Sequence, residues 1–195
     1  YPVAVKIEQA FSSAIKSVTS DYTPVTYFVT GHGEINTNLS ELKGAIMANN
    51  YEIKELSLSN PVPEDAAVIL FVSPKTDLLP KELDNLMAFM EKGGDAIFLM
   101  DVQETDKGLP NFDTVFARYS LALNDDLVLE GDQNWYLDDF SIIIPQPNDN
   151  EVTMNLDPKS MFVYLPNCRS VSIKQLSREE ILAQPLFMTS DKAQS

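Results

Sequence analysis

The chain has 195 residues, of which 44% are hydrophobic and 22% charged, a composition typical of a globular protein and not of a disordered one. Fourteen Lys and Arg against 29 Asp and Glu give a net charge of -15, so nucleic acid is not an expected partner, because binding phosphates requires clustered cations. A single cysteine, Cys168, excludes an intramolecular disulfide and a thiolate metal cluster.

The apolar runs and the two ends of the sequence indicate whether these residues contain a membrane span or a targeting segment. The longest apolar runs are far too short to span a bilayer, and no signal peptide is visible. The chain starts without Met and ends in the polar run 190–195. We therefore expect a piece of a longer protein, in which targeting or anchoring segments lie elsewhere.

The first hundred residues alternate between helix and strand. Their first helix is amphipathic, with one apolar stripe formed by Ile7, Phe11, Ala14, Ile15 and Val18. The predicted strands are Val25–Val29, Tyr51–Leu58, Ala67–Val72 and Ala96–Met100. The last two are continuously apolar, which predicts strands that are covered on both faces.

Helix signals fall between these strands. Asn38 is a candidate N-cap with Glu41 three residues later, a capping-box pattern, and Asn50 can end that helix in a left-handed conformation. Pro80 suits the first turn of the next helix, and Gly93 follows its end. The apolar stripes of the two helices are Leu39, Leu42 and Ile46, then Leu79, Leu83, Leu86 and Met90.

This alternation predicts an α/β fold with a parallel sheet, helices on both faces and a flavodoxin-like strand order 2-1-3-4. We assign residues 1–120 to this doubly wound core, including a helix at Asn111–Tyr119, and residues 121–195 to a β-rich extension packed on it. The expected strands of the extension are Leu127–Leu129, Phe140–Ile144, Val152–Met154, Met161–Leu165 and Val171–Ile173, followed by a helix at Ser177–Gln184.

Polar loops follow three of the predicted strands. The first loop is Gly31, His32, Gly33 and Glu34 and holds the only histidine of the chain; Ser73 and Asp101 begin the other two. Ligands of open α/β sheets bind where such loops meet. The six residues are therefore a candidate site for a ligand or a protein partner. The alternative is a tight turn with a shaping role only, in which His32 bonds its neighbours.

The residues do not support a catalytic site. Ser73 lies between Val72 and Pro74 without the glycines of a nucleophile elbow, and Cys168 lies far along the chain. One histidine and one cysteine make a zinc site improbable. We expect no enzyme, metal or cofactor. Two other functions stay open: a hydrolase that uses His32 with Glu34 or Asp101, and a carbohydrate-binding module.

The carbohydrate-binding alternative depends on two aromatic residues. Trp135 and Tyr136 lie among aspartates, and aromatic residues ringed by polar groups often mark binding surfaces. Anchoring of the β-rich extension to a core is the second interpretation of this pair.

The order of several segments resembles a known family. The strand that ends in Phe28-Val-Thr-Gly-His-Gly-Glu34, the helix end at Lys92-Gly-Gly94, and the run Tyr119-Ser-Leu-Ala-Leu-Asn124 are similar to the soluble domain of GldG-type auxiliary components of ABC-2-type transporters, known from gliding motility. The resemblance covers roughly residues 5–175. Two residues depart from the family pattern: serine stands at Ser73 and Ser120, where the family usually has glycine.

The resemblance implies a context for the domain. It implies an amidotransferase-like scaffold without the catalytic cysteine, held outside the cytoplasmic membrane by helices beyond this fragment. The implied partners are the permease and ATPase subunits of an ABC transporter, or other envelope proteins.

Overall fold

The computed structural model describes residues 11, 14–15, 18–19, 22–35, 37–103, 108–154, 156, 163–174 and 181–195. The chain divides into two compact units, Tyr1–Met100 and Asp101–Ser195. This division falls earlier than the boundary that the sequence suggested after residue 120. The helix at Pro110–Arg118 belongs to the second unit because it packs against the short strand Leu121–Leu123 that follows it. Among the described residues, no helix combines the length and the apolar character needed to cross a bilayer.

The first unit is built on a four-stranded parallel sheet. Its strands are β1 (Val25–Val29), β2 (Glu52–Leu56), β3 (Ala66–Val72) and β4 (Asp95–Leu99). Their spatial order is β2-β1-β3-β4, and every pairing is parallel. The sheet, its order and the positions of all four strands were therefore predicted correctly, with small differences at the strand ends.

Two helices connect these strands, α1 (Ser40–Ala48) between β1 and β2 and α2 (Pro80–Glu91) between β3 and β4. The two crossovers run in opposite directions along the sheet, so right-handed connections put the helices on opposite faces. Helix α1 packs against a buried cluster on its face of the sheet. That cluster is Phe28, Leu70 and Val72, with Leu39, Leu42, Ile46 and Ile53 packed on it.

Three local predictions for the first unit are wrong. The N-cap of α1 is Leu39 and makes no side-chain cap bond, because Asn38 lies before it with a φ of 60°. Leu79 is exposed and does not extend the buried stripe of α2. The edge strand β4 is covered on one face only, since Ile97 and Leu99 are exposed. The left-handed conformation of Asn50 is confirmed, with a φ of 64°.

The second unit contains α3 (Pro110–Arg118) and several short antiparallel ladders. Strand β5 (Leu121–Leu123) pairs with β10 (Val171–Ile173). Two further antiparallel sheets join β6 (Tyr136–Leu137) and β9 (Leu165–Pro166) to β7 (Asp139–Ile143), and β8 (Gln146–Pro147) to β11 (Phe187–Met188).

The sequence overestimated regular structure in this unit. The predicted strand Val152–Met154 is a turn, and Leu127–Leu129 contributes only an isolated bridge from Leu129 to Gln194. Of the predicted helix Ser177–Gln184, residues 177–180 lie outside the described residues, and 181–184 are not helical. Ile7, Met161 and Phe162 also lie outside them, whereas Phe11, Ala14, Ile15 and Val18 are helical as predicted.

Two buried serines occupy backbone conformations that suit glycine. Ser73 follows β3 with a φ of 51°, and Ser120 follows α3 with a φ of 58°. Side chains other than glycine pay a steric cost in this region. These are the two positions at which the resembled family usually has glycine. At both positions of this chain the backbone conformation is one that glycine adopts readily, and serine adopts it here with strain.

We expect Ser73→Gly and Ser120→Gly each to stabilise the protein by about 0.5–1 kcal/mol, since relief of a left-handed φ outweighs the extra flexibility that glycine gives the unfolded chain. Urea unfolding of each variant measures the change. Ser57→Gly is the control, because Ser57 is not among the described residues with positive φ and glycine there should not stabilise. Destabilisation by both substitutions would contradict the strain argument.

Candidate functional site

The turn after β1 is tied to the loop after β3. Gly31 and Gly33 have φ values of 121° and 76°, which glycine adopts readily. The carbonyl oxygen of His32 accepts hydrogen bonds from the backbone N–H groups of Lys75 and Thr76, at 2.7 and 3.0 Å. A Cβ at Gly33 would lie 3.2 Å from the Cβ of Lys75. The two loops are therefore in close backbone contact at the ends of the two central strands.

The imidazole of His32 lies between two carboxylates. Its Nδ1 is 2.9 Å from Oε1 of Glu34, and its Nε2 is 3.0 Å from Oε2 of Glu82. The side chains of His32, Glu34 and Glu82 are only 4%, 6% and 9% exposed. The backbone N–H of His32 also donates to Oε2 of Glu34, at 2.8 Å. Both ring nitrogens are thus occupied by groups of the protein itself.

Glu82 reaches the ring from the start of α2. Helix α2 begins at Pro80, and Glu82 is its third residue. Its Oε2 accepts the backbone N–H of Leu79 at 2.8 Å. The hydroxyl of Ser59 donates to the other oxygen, Oε1, at 3.3 Å. A carboxylate in the first turn also interacts favourably with the helix dipole. Glu82 therefore caps α2 and pairs with His32 at once.

Two ionised carboxylates can both accept from one imidazole only when both ring nitrogens carry protons. The bond with Glu34 raises the pKa of His32 above its ordinary value of 6.5, burial opposes this, and the bond with Glu82 raises it again. The geometry and the direction of the shift agree. Both favour the doubly protonated ring, an imidazolium that pairs with two carboxylates.

The pKa values of both carboxylates move in the complementary direction. Burial tends to raise the pKa of Glu34, but the bonds from the His32 ring and from backbone N–H groups outweigh it and hold the pKa below 4.5. For Glu82, burial is likewise outweighed by the Leu79 N–H and by His32, and its pKa is also below 4.5. All three groups are therefore stabilised in their charged forms.

The six residues predicted for this site have different environments. His32 and Glu34 are paired as described, and Gly31 and Gly33, the residues on either side of His32, are exposed on the same turn. Ser73 is 2% exposed, and within the described part of the chain its Oγ has no hydrogen-bond partner. Asp101 is exposed and is the first residue of the second unit. The structure thus joins two of the predicted polar side chains into one cluster.

Sequence reasoning missed Glu82, which completes the cluster. A usable signal was present: Pro80 at the first helical position and glutamate two residues later mark a helix start with an acidic third position. That signal indicates a cap, but it does not reveal a histidine fifty residues earlier in the chain as a second partner. Ser59, which bonds Glu82, had no sequence signal.

The arrangement leaves little capacity for other chemistry at this turn. Carboxylates are the partners of both ring nitrogens of His32. Cys168 is half-buried in the second unit, and burial raises the pKa of its thiol, which makes it a weaker nucleophile at neutral pH. Among the residues that the structure describes, no group of three His, Cys, Asp or Glu side chains is placed to hold a metal ion.

Trp135 and Tyr136 are both half-buried in the second unit. The backbone of Trp135 is held by hydrogen bonds to Asp132 and Ile144, at 2.9 and 2.7 Å. Tyr136 lies on β6, opposite the buried Ile143 of β7. Each ring therefore has one side in the protein and part of its surface in solvent.

Removal of the imidazole should be strongly destabilising. We expect His32→Ala to cost about 3 kcal/mol or more, because it leaves two buried carboxylates facing each other without a cation. Urea unfolding at pH 6 measures this cost. Adding Glu34→Gln and Glu82→Gln to His32→Ala should recover part of the lost free energy of unfolding. The control is Lys54→Met, which removes the half-exposed pair with Asp65 and should have a much smaller effect. Equal effects of His32→Ala and Lys54→Met would contradict the role of the His32 ring in compensating two buried carboxylates.

Stability should also follow the charge of His32. Because its folded pKa is raised, its contribution is fully present below pH 6.5 and is lost as pH rises through the folded pKa. The contribution of Glu34 and Glu82 is present above pH 4.5 and is lost as pH falls through their lowered folded pKa values. Urea unfolding across this range at fixed ionic strength should therefore show a maximum in the free energy of unfolding between pH 4.5 and pH 6.5.

The chain has one histidine, so its imidazole signals in an NMR titration can be assigned without ambiguity. We expect a folded-state midpoint above 6.5. A midpoint at or below 6.5 would show that the ring is neutral in the folded protein and would remove the electrostatic argument.

Comparisons with known proteins identify the chain at the level of a family. A solved structure described as the mmIFT52 N-terminal domain matches with a TM-score of 0.66 and 16% sequence identity, over 87% of this chain and 74% of that chain. At this identity the match shows a shared fold alone. No curated protein matches the sequence significantly.

The family model described as an ABC-type uncharacterized transport system, ABC_transp_aux, matches residues 23–138. These residues are more than half of the chain and include the His32 turn, all four parallel strands and α3. The chain therefore belongs to the family of auxiliary proteins of ABC-type transport systems.

Proposed function

We propose that this protein is a non-enzymatic, extracytoplasmic binding domain of an ABC transport complex, and that it contacts another protein of that complex. The observation that carries the proposal is the enclosure of the His32 ring between Glu34 and Glu82. A strand-end histidine could be the centre of a catalytic site, but both ring nitrogens of His32 bind carboxylates of the protein itself and stabilise its fold.

A catalytic role would require a ring nitrogen that can take a proton. A histidine that acts as a general base is neutral near the working pH and lies within hydrogen-bond reach of a nucleophile. The raised pKa of His32 favours the protonated ring, and each of its nitrogens already lies within hydrogen-bond distance of a carboxylate. Ser73, which follows β3, has no bonded base among the described residues. These features support a structural role for the turn.

The ligand crevice expected of this architecture is also occupied by the chain. Ligands of open α/β sheets bind where the strand order reverses, which here is between β1 and β3. The bonds from Lys75 and Thr76 to His32 join the loops at this position, and the N–H of Ile35 donates to the carbonyl of Val72 at 2.9 Å. A small-molecule site here would have to break these bonds, which favours protein contact over ligand binding.

The family supplies the context of the proposal. An auxiliary protein of an ABC transport system associates with transporter components, and we propose the permease and ATPase subunits or another envelope protein as the partners. The resemblance to GldG-type components supports an amidotransferase-like scaffold that has lost its nucleophile. It also supports anchoring on the outer side of the membrane by helices beyond these residues.

Affinity purification tests the assembly. The full-length parent protein should be expressed with the neighbouring ATPase and permease, solubilised in detergent and isolated through a tag on the auxiliary protein. We expect both subunits to be recovered, and we expect deletion of residues 23–138 to reduce their recovery at least severalfold. Unchanged recovery after the deletion would contradict a binding role for the domain.

A second experiment separates binding from hydrolysis. Ser73→Ala and Asp101→Asn remove candidate catalytic groups at positions outside the His32 cluster, so both variants should fold and assemble as the wild type does. We expect no turnover by the wild type or by either variant with p-nitrophenyl acetate, acyl amides or p-nitrophenyl glycosides. Turnover that is lost in either variant would support the alternative hydrolase and contradict the proposal.

A further inference from the structure

The uncovered face of β4 continues an interface that is already present in the first unit. In the sheet register, Ile97 lies beside Leu70 and Leu99 lies beside Val72. Leu70 and Val72 are buried in the cluster beneath α1. Ile97 and Leu99, which we call the β4 strip, lie on the same face but remain 49% and 44% exposed.

An apolar helical stripe near the start of the chain is also uncovered. Phe11, Ile15 and Val18 are spaced four and three residues apart, so they share one helix face. The three residues are 68%, 59% and 84% exposed. The hydroxyl of Thr19 donates to the carbonyl of Ile15 at 2.7 Å, a contact between successive helical turns. We call Phe11, Ile15 and Val18 the N-terminal stripe.

The dimensions of the sheet allow the stripe to cover the strip. Two strand spacings are about 10 Å, close to the separation of about 8–10 Å between packed helices. A second helix beside α1 would therefore lie above β4. Six Cα–Cα steps connect the helical Thr19 to Val25 at the start of β1, and in extended form they reach roughly 20 Å. The link is long enough without strain.

We propose that the N-terminal stripe packs on the β4 strip of the same chain and completes the helix layer on the α1 face. This inference is independent of the proposed function. Two observations favour the same chain over a second copy. The short link holds the stripe near the strip at a high effective concentration, and a net charge of -15 opposes self-association.

Paired cysteines test the contact directly. In a Cys168→Ser background, Leu99→Cys is combined in turn with Phe11→Cys, Ile15→Cys or Val18→Cys, and the proteins are oxidised under mild conditions. We expect an intramolecular disulfide in at least one pair, seen as a faster-migrating monomer on a non-reducing gel. Ser13→Cys with Leu99→Cys is the matched control, because position 13 is outside the i, i+4, i+7 spacing of Phe11, Ile15 and Val18 and should not crosslink.

The outcomes are decisive in both directions. A disulfide-linked dimer as the main product would identify a second copy as the occupant and overturn the proposal. Absence of any crosslink, or equal crosslinking by the Ser13→Cys control, would overturn it too.

Amide hydrogen exchange provides a measurement without cysteines. If the stripe is docked, the double variant Ile97→Ser and Leu99→Ser should speed exchange of residues 11–19 by about tenfold, because docking protects the helix from opening. The control is Leu182→Ser, an exposed apolar residue of the second unit, which should leave exchange of these residues unchanged. Equal exchange in the wild type and the double variant would contradict docking.

Discussion

The imidazolium of His32 is the cation that allows two carboxylates to be buried at the carboxyl end of the sheet. Removing a carboxylate from water costs several kcal/mol unless an opposite charge and hydrogen bonds compensate. Here the ring compensates Glu34 on one side and Glu82 on the other, and backbone N–H groups and the Ser59 hydroxyl satisfy further lone pairs. The turn after β1 is therefore fixed to the start of α2 by charge and not by apolar packing.

This electrostatic connection has consequences for the neighbouring backbone. The carbonyl of His32 accepts two hydrogen bonds from the loop after β3, so the position of the ring also fixes the position of that loop. Gly33 leaves space for the close approach of Lys75. The loops that many open α/β proteins use to hold a ligand are here bonded to each other.

Ser73 and Ser120 show how a family pattern can be interpreted through backbone geometry. Both residues have a left-handed φ and are almost completely buried. A hydroxyl retained for chemistry would be expected beside a base, whereas the Oγ of Ser73 has no bonded partner among the described residues. The requirement at these positions is conformational.

The sequence by itself determined the parallel sheet and its strand order, because apolar runs such as Ala66–Val72, separated by helix-length segments, leave few alternative topologies. It also identified His32 and Glu34 as neighbours, since they are two residues apart on a turn between glycines. Only the tertiary structure brought Glu82 to the ring, because that pairing depends on how α2 crosses from β3 to β4. The short strands of the second unit were predicted less well: they are held by side-chain bonds between distant residues, such as those from Ser190 to Glu130 and from Asn124 to Ser170, and such bonds leave no periodic signal in the sequence.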